Sequence, residues 1–149
     1  MAETDAGVAA CTRADAPDAM LAALRRRFPS VDPLADDVDA AWLFDGVLPP
    51  VDLRGLSTFD VRVYETVRSV PVGETVTYGE VAAMIGSPGA ARAVGGAMSR
   101  CPLFPAVPCH RVVRAADGWS GWGGDASLKR RLLRAERAHR APTGQALTR

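Results

Sequence analysis

The sequence lacks any run of about 18 consecutive apolar residues, so no transmembrane helix is expected. It also lacks the basic-then-apolar start of a secretory signal, opening instead on Met1, Ala2, Glu3, Thr4 and Asp5. Cysteine is scarce. Cys11, Cys101 and Cys109 are odd in number and far apart. That argues against the disulfide scaffold of a small secreted domain and for a reducing compartment, taken here as the cytoplasm, or the nucleus if the source is a eukaryote. No cysteine–histidine cluster has the spacing of a zinc site, and no metal is expected. Internal repeats and low-complexity tracts are absent as well. What remains is a chain of 149 residues, 48% hydrophobic, enough for one domain or one and a fraction with a real core.

The formal net charge of +1 conceals an asymmetry. Residues 1–60 hold 11 acidic and 5 basic side chains, a balance of −6, and residues 61–149 hold 6 acidic and 13 basic, a balance of +7. A basic C-terminal part suits a polyanionic partner. A solvated helix face with a charged tail would produce the same count.

Residues 1–16 are small and polar without periodicity and read as a loosely held leader. Pro17 suits a first helical position, and Met20, Leu21, Leu24 and Phe28 recur at helical spacing before Pro29 and Pro33 break the chain. A second short helix is expected over 36–44, and Asp45-Gly46 and Pro49-Pro50 mark a turn and linker. From there the pattern strengthens. Ser57 or Thr58 can cap a helix presenting Phe59, Val63, Val67 and Val70. Thr77 can cap the next, with Glu80 completing a capping box and Val81, Met84 and Ile85 facing inward. A turn at Gly86-Ser87-Pro88-Gly89 leads to a helix over 90–98, which makes a helix-turn-helix. An extended run is expected over 107–113. Leu128, Leu132 and Leu133 line a final helix ending near Glu136, and 139–149 is expected to fray.

Two features carry chemistry. Cys109 sits beside His110 in Pro108-Cys109-His110-Arg111-Val112, among rigid prolines and apolar residues. Thiolate is the nucleophilic form of cysteine, and an adjacent imidazole is one way to generate it. A buried structural cysteine would look the same in isolation. The helix over 90–98 is almost free of bulk, and Gly95 with Gly96 costs about 2 kcal/mol of helix propensity relative to alanine. Something therefore approaches its backbone closely, either a neighbouring helix or an outside partner such as a DNA groove.

Taken in order, Thr77-Tyr78-Gly79-Glu80, Ala90-Ala91-Arg92-Ala93-Val94-Gly95-Gly96-Ala97-Met98, Pro108-Cys109-His110-Arg111-Val112, Ser120-Gly121-Trp122-Gly123-Gly124 and Lys129 through Glu136 resemble the C-terminal domain of the methylated-DNA–protein-cysteine methyltransferases, the O6-alkylguanine-DNA alkyltransferases. The resemblance covers residues 56–136. It implies a mainly α fold with a small β component, a winged-helix-like helix-turn-helix alkyltransferase domain over 56–138. A reduced, mainly helical N-terminal segment over 1–55 precedes it and a flexible tail over 139–149 follows. It implies double-stranded DNA carrying O6-alkylguanine as partner, monomeric action, no cofactor, and a single irreversible alkyl transfer to Cys109. Since the family has a full α/β domain before this one, a partner protein could supply it.

By the same resemblance, His110 takes the thiol proton through a water and Glu136 orients the histidine. Tyr78 assists the leaving purine and Arg92 fills the gap left by the flipped base. Ala90, Ala91, Gly95 and Gly96 form the small-residue face entering the minor groove, which is about 6 Å wide. Met98, Val112, Trp122 and Gly123 surround the base. The sequence departs from the family at three places. Cys101 stands where an asparagine hinge ties the recognition helix to the active-site segment, and a thiol cannot make an amide's hydrogen bonds. Trp122 replaces a tyrosine, and Phe59-Asp60 replaces Phe-Gln. These changes are expected to slow transfer or alter pocket preference. Three other readings stand beside this one: a non-catalytic lesion binder that flags damage for other repair, an alkylation-sensing DNA-binding regulator, and an unrelated cysteine hydrolase.

Overall fold

The computed structural model describes residues 2–10, 22, 26, 42–116, 118 and 126–140. Two short strands, β1 (Ala2–Thr4) and β2 (Gly7–Ala10), form an antiparallel hairpin. Helix α1 (Trp42–Asp45) follows, then α2 (Thr58–Arg68), β3 (Val76–Thr77), α3 (Tyr78–Met84), α4 (Ala91–Ser99), a 3-10 turn (Cys109–Arg111), β4 (Val112–Val113) and α5 (Ala126–Arg140). Of the helix expected over 17–28, only Ala22 and Arg26 are described, and both are helical. The architecture is mainly α with a small β component, as the sequence predicts.

The hairpin corrects the expectation of a loose leader. Val8 and Ala9 are buried, and Val8 joins the main core. The Val8 N–H donates to the Pro50 carbonyl at 2.8 Å and the Asp52 N–H donates to the Val8 carbonyl at 2.7 Å, a parallel bridge to Val51. Thus the proline-marked linker is a docking edge. Gly7 makes this possible: its φ is +126°, and a Cβ there would lie 2.5 Å from the Pro50 oxygen. Polar contacts reinforce the dock. Asp52 accepts from Thr4 Oγ1 at 2.5 Å, and Arg54 grips both Asp52 and Asp5. The Arg54 hydrogen bond holds the buried Asp52 carboxyl well below the usual carboxylate range. A strand of four residues with one large apolar side chain has too little alternation to be legible in sequence.

Helix α2 starts where Ser57, in extended conformation, accepts the Asp60 N–H at 3.1 Å. Its buried face is Val63, Tyr64 and Val67. Helix α3 starts with the full capping box: Thr77 Oγ1 accepts the Glu80 N–H and Glu80 Oε2 accepts the Thr77 N–H. Val81 and Ile85 turn inward, but Met84 is 58% exposed, contrary to expectation. The neighbouring Ala82 fills the inward position instead, which narrows the buried face. Helices α3 and α4 pack on each other and on α2, burying Val94, Ala97 and Met98 with Leu103, Ala106 and Val107. Strands β3 and β4 pair in parallel, Val76 with Val112 and Thr77 with Val113, so the entrance to the helix-turn-helix is fixed to the segment after the cysteine. Helix α5 runs through His139 and Arg140, one turn beyond the expected end at Glu136. An Arg140–Glu74 ion pair at 2.8 Å holds that turn, so fraying does not begin at His139.

Candidate active site

Cys109 lies at the start of the 3-10 turn rather than in an extended run. Proline at 108 fixes φ near −78° and offers no N–H to a ladder. Tight turns close around it: Cys109 N–H donates to the Val107 carbonyl at 2.8 Å, and Arg111 N–H to the Pro108 carbonyl at 3.0 Å. Only Val112 and Val113 regain strand geometry. Cys109, His110 and Arg111 are all buried, the thiol 2% exposed and the imidazole not at all.

The structure brings His110 and Glu136 together from segments 26 residues apart, with Nε2 and Oε1 at 2.6 Å. Glu136 is fully buried and is also held by the Arg111 guanidinium at 2.9–3.2 Å and by the Gly73 N–H at 2.9 Å. Burial pushes its carboxyl up, but the hydrogen bonds from His110 and Arg111 outweigh that and bring it down to about 2. For His110 the balance is opposite. Burial lowers its pKa more than the Glu136 hydrogen bond raises it, and the Arg111 and Lys129 charges lower it further. An ionised Glu136 only accepts, so the neutral imidazole carries its proton on Nε2 and leaves the lone pair on Nδ1. Nδ1 is buried and has no hydrogen-bond partner among the described residues. The Phe104 ring stands nearly perpendicular to the imidazole, centroids 5.9 Å apart, and fixes its plane.

Tyr78, the first residue of α3, is half-buried and packs against the core that contains Cys109. Burial pushes its hydroxyl up, and the nearby Cys109 charge pushes it further. Met98 lies in the same core, 5% exposed. Val112 is buried on β4, and its carbonyl accepts from the buried Lys129 ammonium. Ala90 and Ala91 stand at the start of α4, with Arg92 exposed beside them. The two glycines of α4 differ. A Cβ at Gly95 would meet nothing within 4 Å, whereas one at Gly96 would come within 3.0 Å of Arg100 Nη1. Gly95 therefore presents open backbone, and Gly96 leaves room for the Arg100 side chain. Cys101 packs against the apolar cluster as a small hydrophobe. Trp122 and Gly123 lie outside the described residues.

Two residues at the site carried no assigned role in the sequence reading. Arg111 is wholly engaged, pairing with Glu136 and donating from Nη1 to the Val70 carbonyl at 2.8 Å. Lys129, 1% exposed, sits among residues that read as a charged helix face. Its position offered a clue, since 129, 133 and 136 recur at helical spacing and share the buried stripe of α5. Among the described residues no group of three His, Cys, Asp or Glu side chains is placed to hold a metal ion, and no helix is long and apolar enough to cross a membrane.

Comparison with known proteins places this geometry in context. The methylated-DNA–protein-cysteine methyltransferase of Mycolicibacterium paratuberculosis is 49% identical over 89 residues, covering 60% of this chain and 53% of that protein. The DNA base-flipping protein of Thermus thermophilus is 48% identical over 90 residues, 60% of this chain and 59% of its own. The crystal structure of Mycobacterium tuberculosis OGT in complex with DNA matches with a TM-score of 0.57 at 47% identity, over 60% of this chain and 54% of that one. The chain thus spans about half the length of the curated relatives it matches. The family model described as the DNA binding domain of 6-O-methylguanine DNA methyltransferase matches residues 58–138 of the 149, and the chain belongs to that family.

Proposed function

We propose that this protein binds duplex DNA through the α3–α4 helix-turn-helix, draws an O6-alkylguanine out of the stack, and takes the alkyl group permanently onto Cys109. The observation that carries the reading is the neutral His110, fixed through Nε2 on an ionised Glu136 with its Nδ1 lone pair without a hydrogen-bond partner among the described residues, next in sequence to a buried cysteine. In this reading a water relays the Cys109 proton to Nδ1, and the charge on the imidazolium is balanced by Glu136. The sulfur then forms a bond to the alkyl carbon as the carbon–O6 bond breaks. The electron pair stays on the purine, which Tyr78 protonates from its hydroxyl and solvent then reprotonates the tyrosine. Arg92 enters the vacated stack, the open backbone at Gly95 and the small Ala90 and Ala91 allow close approach to the groove, and Met98, Val112, Trp122 and Gly123 enclose the base. The thioether has no route back to thiol, so each molecule reacts once. A nucleophile that must remain a thiol suits a reducing compartment that contains DNA.

A second reading, lesion recognition without transfer, is favoured by the similarity to the Thermus base-flipping protein. Intact-protein mass spectrometry after incubation with an O6-methylguanine duplex separates the two. Transfer predicts a gain of about 14 Da, once per molecule and absent from Cys109→Ala. Tight binding with no mass gain establishes the second reading, and neither binding nor gain overturns both.

A further inference from the structure

The last turn of α4 is held at two points by one face of α2. Tyr64 donates its hydroxyl to the Ala97 carbonyl at 2.9 Å. Four residues earlier on α2, Asp60 receives the fork of Arg100, Nε to Oδ2 at 3.0 Å and Nη2 to Oδ1 at 2.6 Å, a bidentate geometry that fixes direction as well as distance. Asp60 is 6% exposed, an anchored acceptor in the first turn of α2. Arg100 caps α4, its N–H closing on the Gly96 carbonyl at 3.2 Å, and its guanidinium runs back across Gly96, where a Cβ would stand 3.0 Å from Nη1. A Cβ at 96 would press on the guanidinium, which would have to give by a few tenths of an ångström. The next residue, Cys101, begins the segment that leads to Cys109 and packs as an apolar group. Tyr64 holds the helix at Ala97 and Arg68 holds the following segment at the Ala106 carbonyl, 2.6 Å away, while at the cap between them the side-chain restraint is that of Arg100 on Asp60.

We infer that the Asp60–Arg100 pair is the tie that keeps α4 in register with the Cys109 pocket, so that Asp60 and Arg100 are positioning residues for alkyl transfer. The inference rests on the function proposed above. The Arg100 end is mostly exposed, its side chain 56% accessible, so the pair adds little to global stability. Its effect lies in geometry: a base flipped by a helix that has rotated slightly arrives out of line with the sulfur. Displacements on the ångström scale are enough to cost up to about a hundredfold in rate.

The test uses the full chain with Asp60→Asn, Asp60→Glu and Arg100→Gln. Four quantities are read: single-turnover transfer from saturating O6-methylguanine duplex, affinity for undamaged duplex, alkylation of Cys109 by iodoacetamide, and Tm. The tie predicts that Asp60→Asn and Arg100→Gln lower duplex transfer about tenfold or more. Affinity, iodoacetamide reactivity and Tm stay close to the parent values. Asp60→Glu, which keeps the carboxylate, recovers most of the rate. Transfer within about twofold of the parent in Asp60→Asn overturns the inference. So does a pattern in which Arg100→Gln only weakens undamaged-duplex binding and flattens its salt dependence, which marks a phosphate contact. If the parent itself transfers nothing, the proposed transfer fails. The tie is then judged on the ratio of lesion to undamaged affinity, which it predicts to fall at least about fivefold in Asp60→Asn and which, unchanged, overturns it.

Discussion

Replacing Glu136 by glutamine tests how the buried cluster is held, because the change keeps size and removes charge. The folded carboxyl titrates at about 2 against an ordinary 4.5. A group whose folded pKa is depressed contributes stability that is present above its ordinary value and is lost as the pH falls toward the folded one. The difference corresponds to about 3 kcal/mol at neutral pH. A second route gives a similar size. In Glu136→Gln the Arg111 guanidinium, 2% exposed, keeps its charge without a carboxylate partner, and stranding one member of a buried pair costs roughly 3–5 kcal/mol.

For a chain of this length such a loss lowers Tm by roughly 6–12 °C. Thermal melts followed by circular dichroism, parent against Glu136→Gln, measure it across pH. The gap is full at neutral pH, narrows once the pH falls below 4.5, and closes near 2, where the parent carboxyl is also protonated. A gap below about 1 kcal/mol at neutral pH refutes the charge argument. A gap of constant size down to strong acid refutes it as well, since it would reflect shape alone.

Three further outcomes follow from the geometry. Because burial lowers the His110 pKa below 6.5, the transfer rate on acidification holds level past 6.5 and falls only in more acid solution; a rate already falling above that value removes His110 as the base. Gly7→Ala drives a Cβ to 2.5 Å from the Pro50 oxygen at a positive φ, so the hairpin undocks at a local cost of about 1–3 kcal/mol. Amide exchange at Val8 and Asp52, whose N–H groups bridge the dock, then accelerates, and unchanged protection refutes the account. Tyr64→Phe removes one buried hydroxyl bond and costs about 1 kcal/mol in urea unfolding, with no loss refuting its contribution.

The helices were legible where local chemistry decides them. Ser57, Thr77 and Glu80 cap where their side chains permit, and Val63, Val67, Val81 and Ile85 mark faces by spacing alone. The segments that were misread depend on distant partners. The hairpin over 2–10 is held by Pro50 and Asp52, more than 40 residues away, and nothing inside it announces them. The turn at Cys109 looks extended in composition because valines surround it, yet Pro108 and closing backbone bonds decide its shape. At the site, the Cys109-His110 adjacency was visible, and the approach of Glu136 to His110 was expected only through family resemblance. Arg111 and Lys129 escaped notice because periodicity arguments place charge outside, whereas here each cation is buried against an oxygen acceptor.

The charge asymmetry also changes meaning once partners are known. The acidic half has a balance of −6, but Asp52 is held by Arg54 and Asp60 by Arg100, and both carboxylates are buried. In the basic half, Arg111 is neutralised by Glu136 and Arg100 by Asp60, while Arg140 pairs with Glu74. Two of these four basic side chains, Arg100 and Arg111, are part of the proposed machinery, and both are already paired with a carboxylate. The cationic surface is therefore narrower than the count of 13 suggests and is carried by exposed residues such as Arg92 on α4 and Arg131, Arg134 and Arg137 on α5. In the proposed function, attraction to DNA rests on those outer charges and weakens with salt. The Arg111–Glu136 pair acts at fixed distances in a buried setting that salt screens far less. Raising the ionic strength should thus weaken duplex affinity while leaving the single-turnover rate at saturating duplex nearly unchanged. A saturated rate that falls in parallel with affinity would mean that the inner and outer charges are not separable in this way.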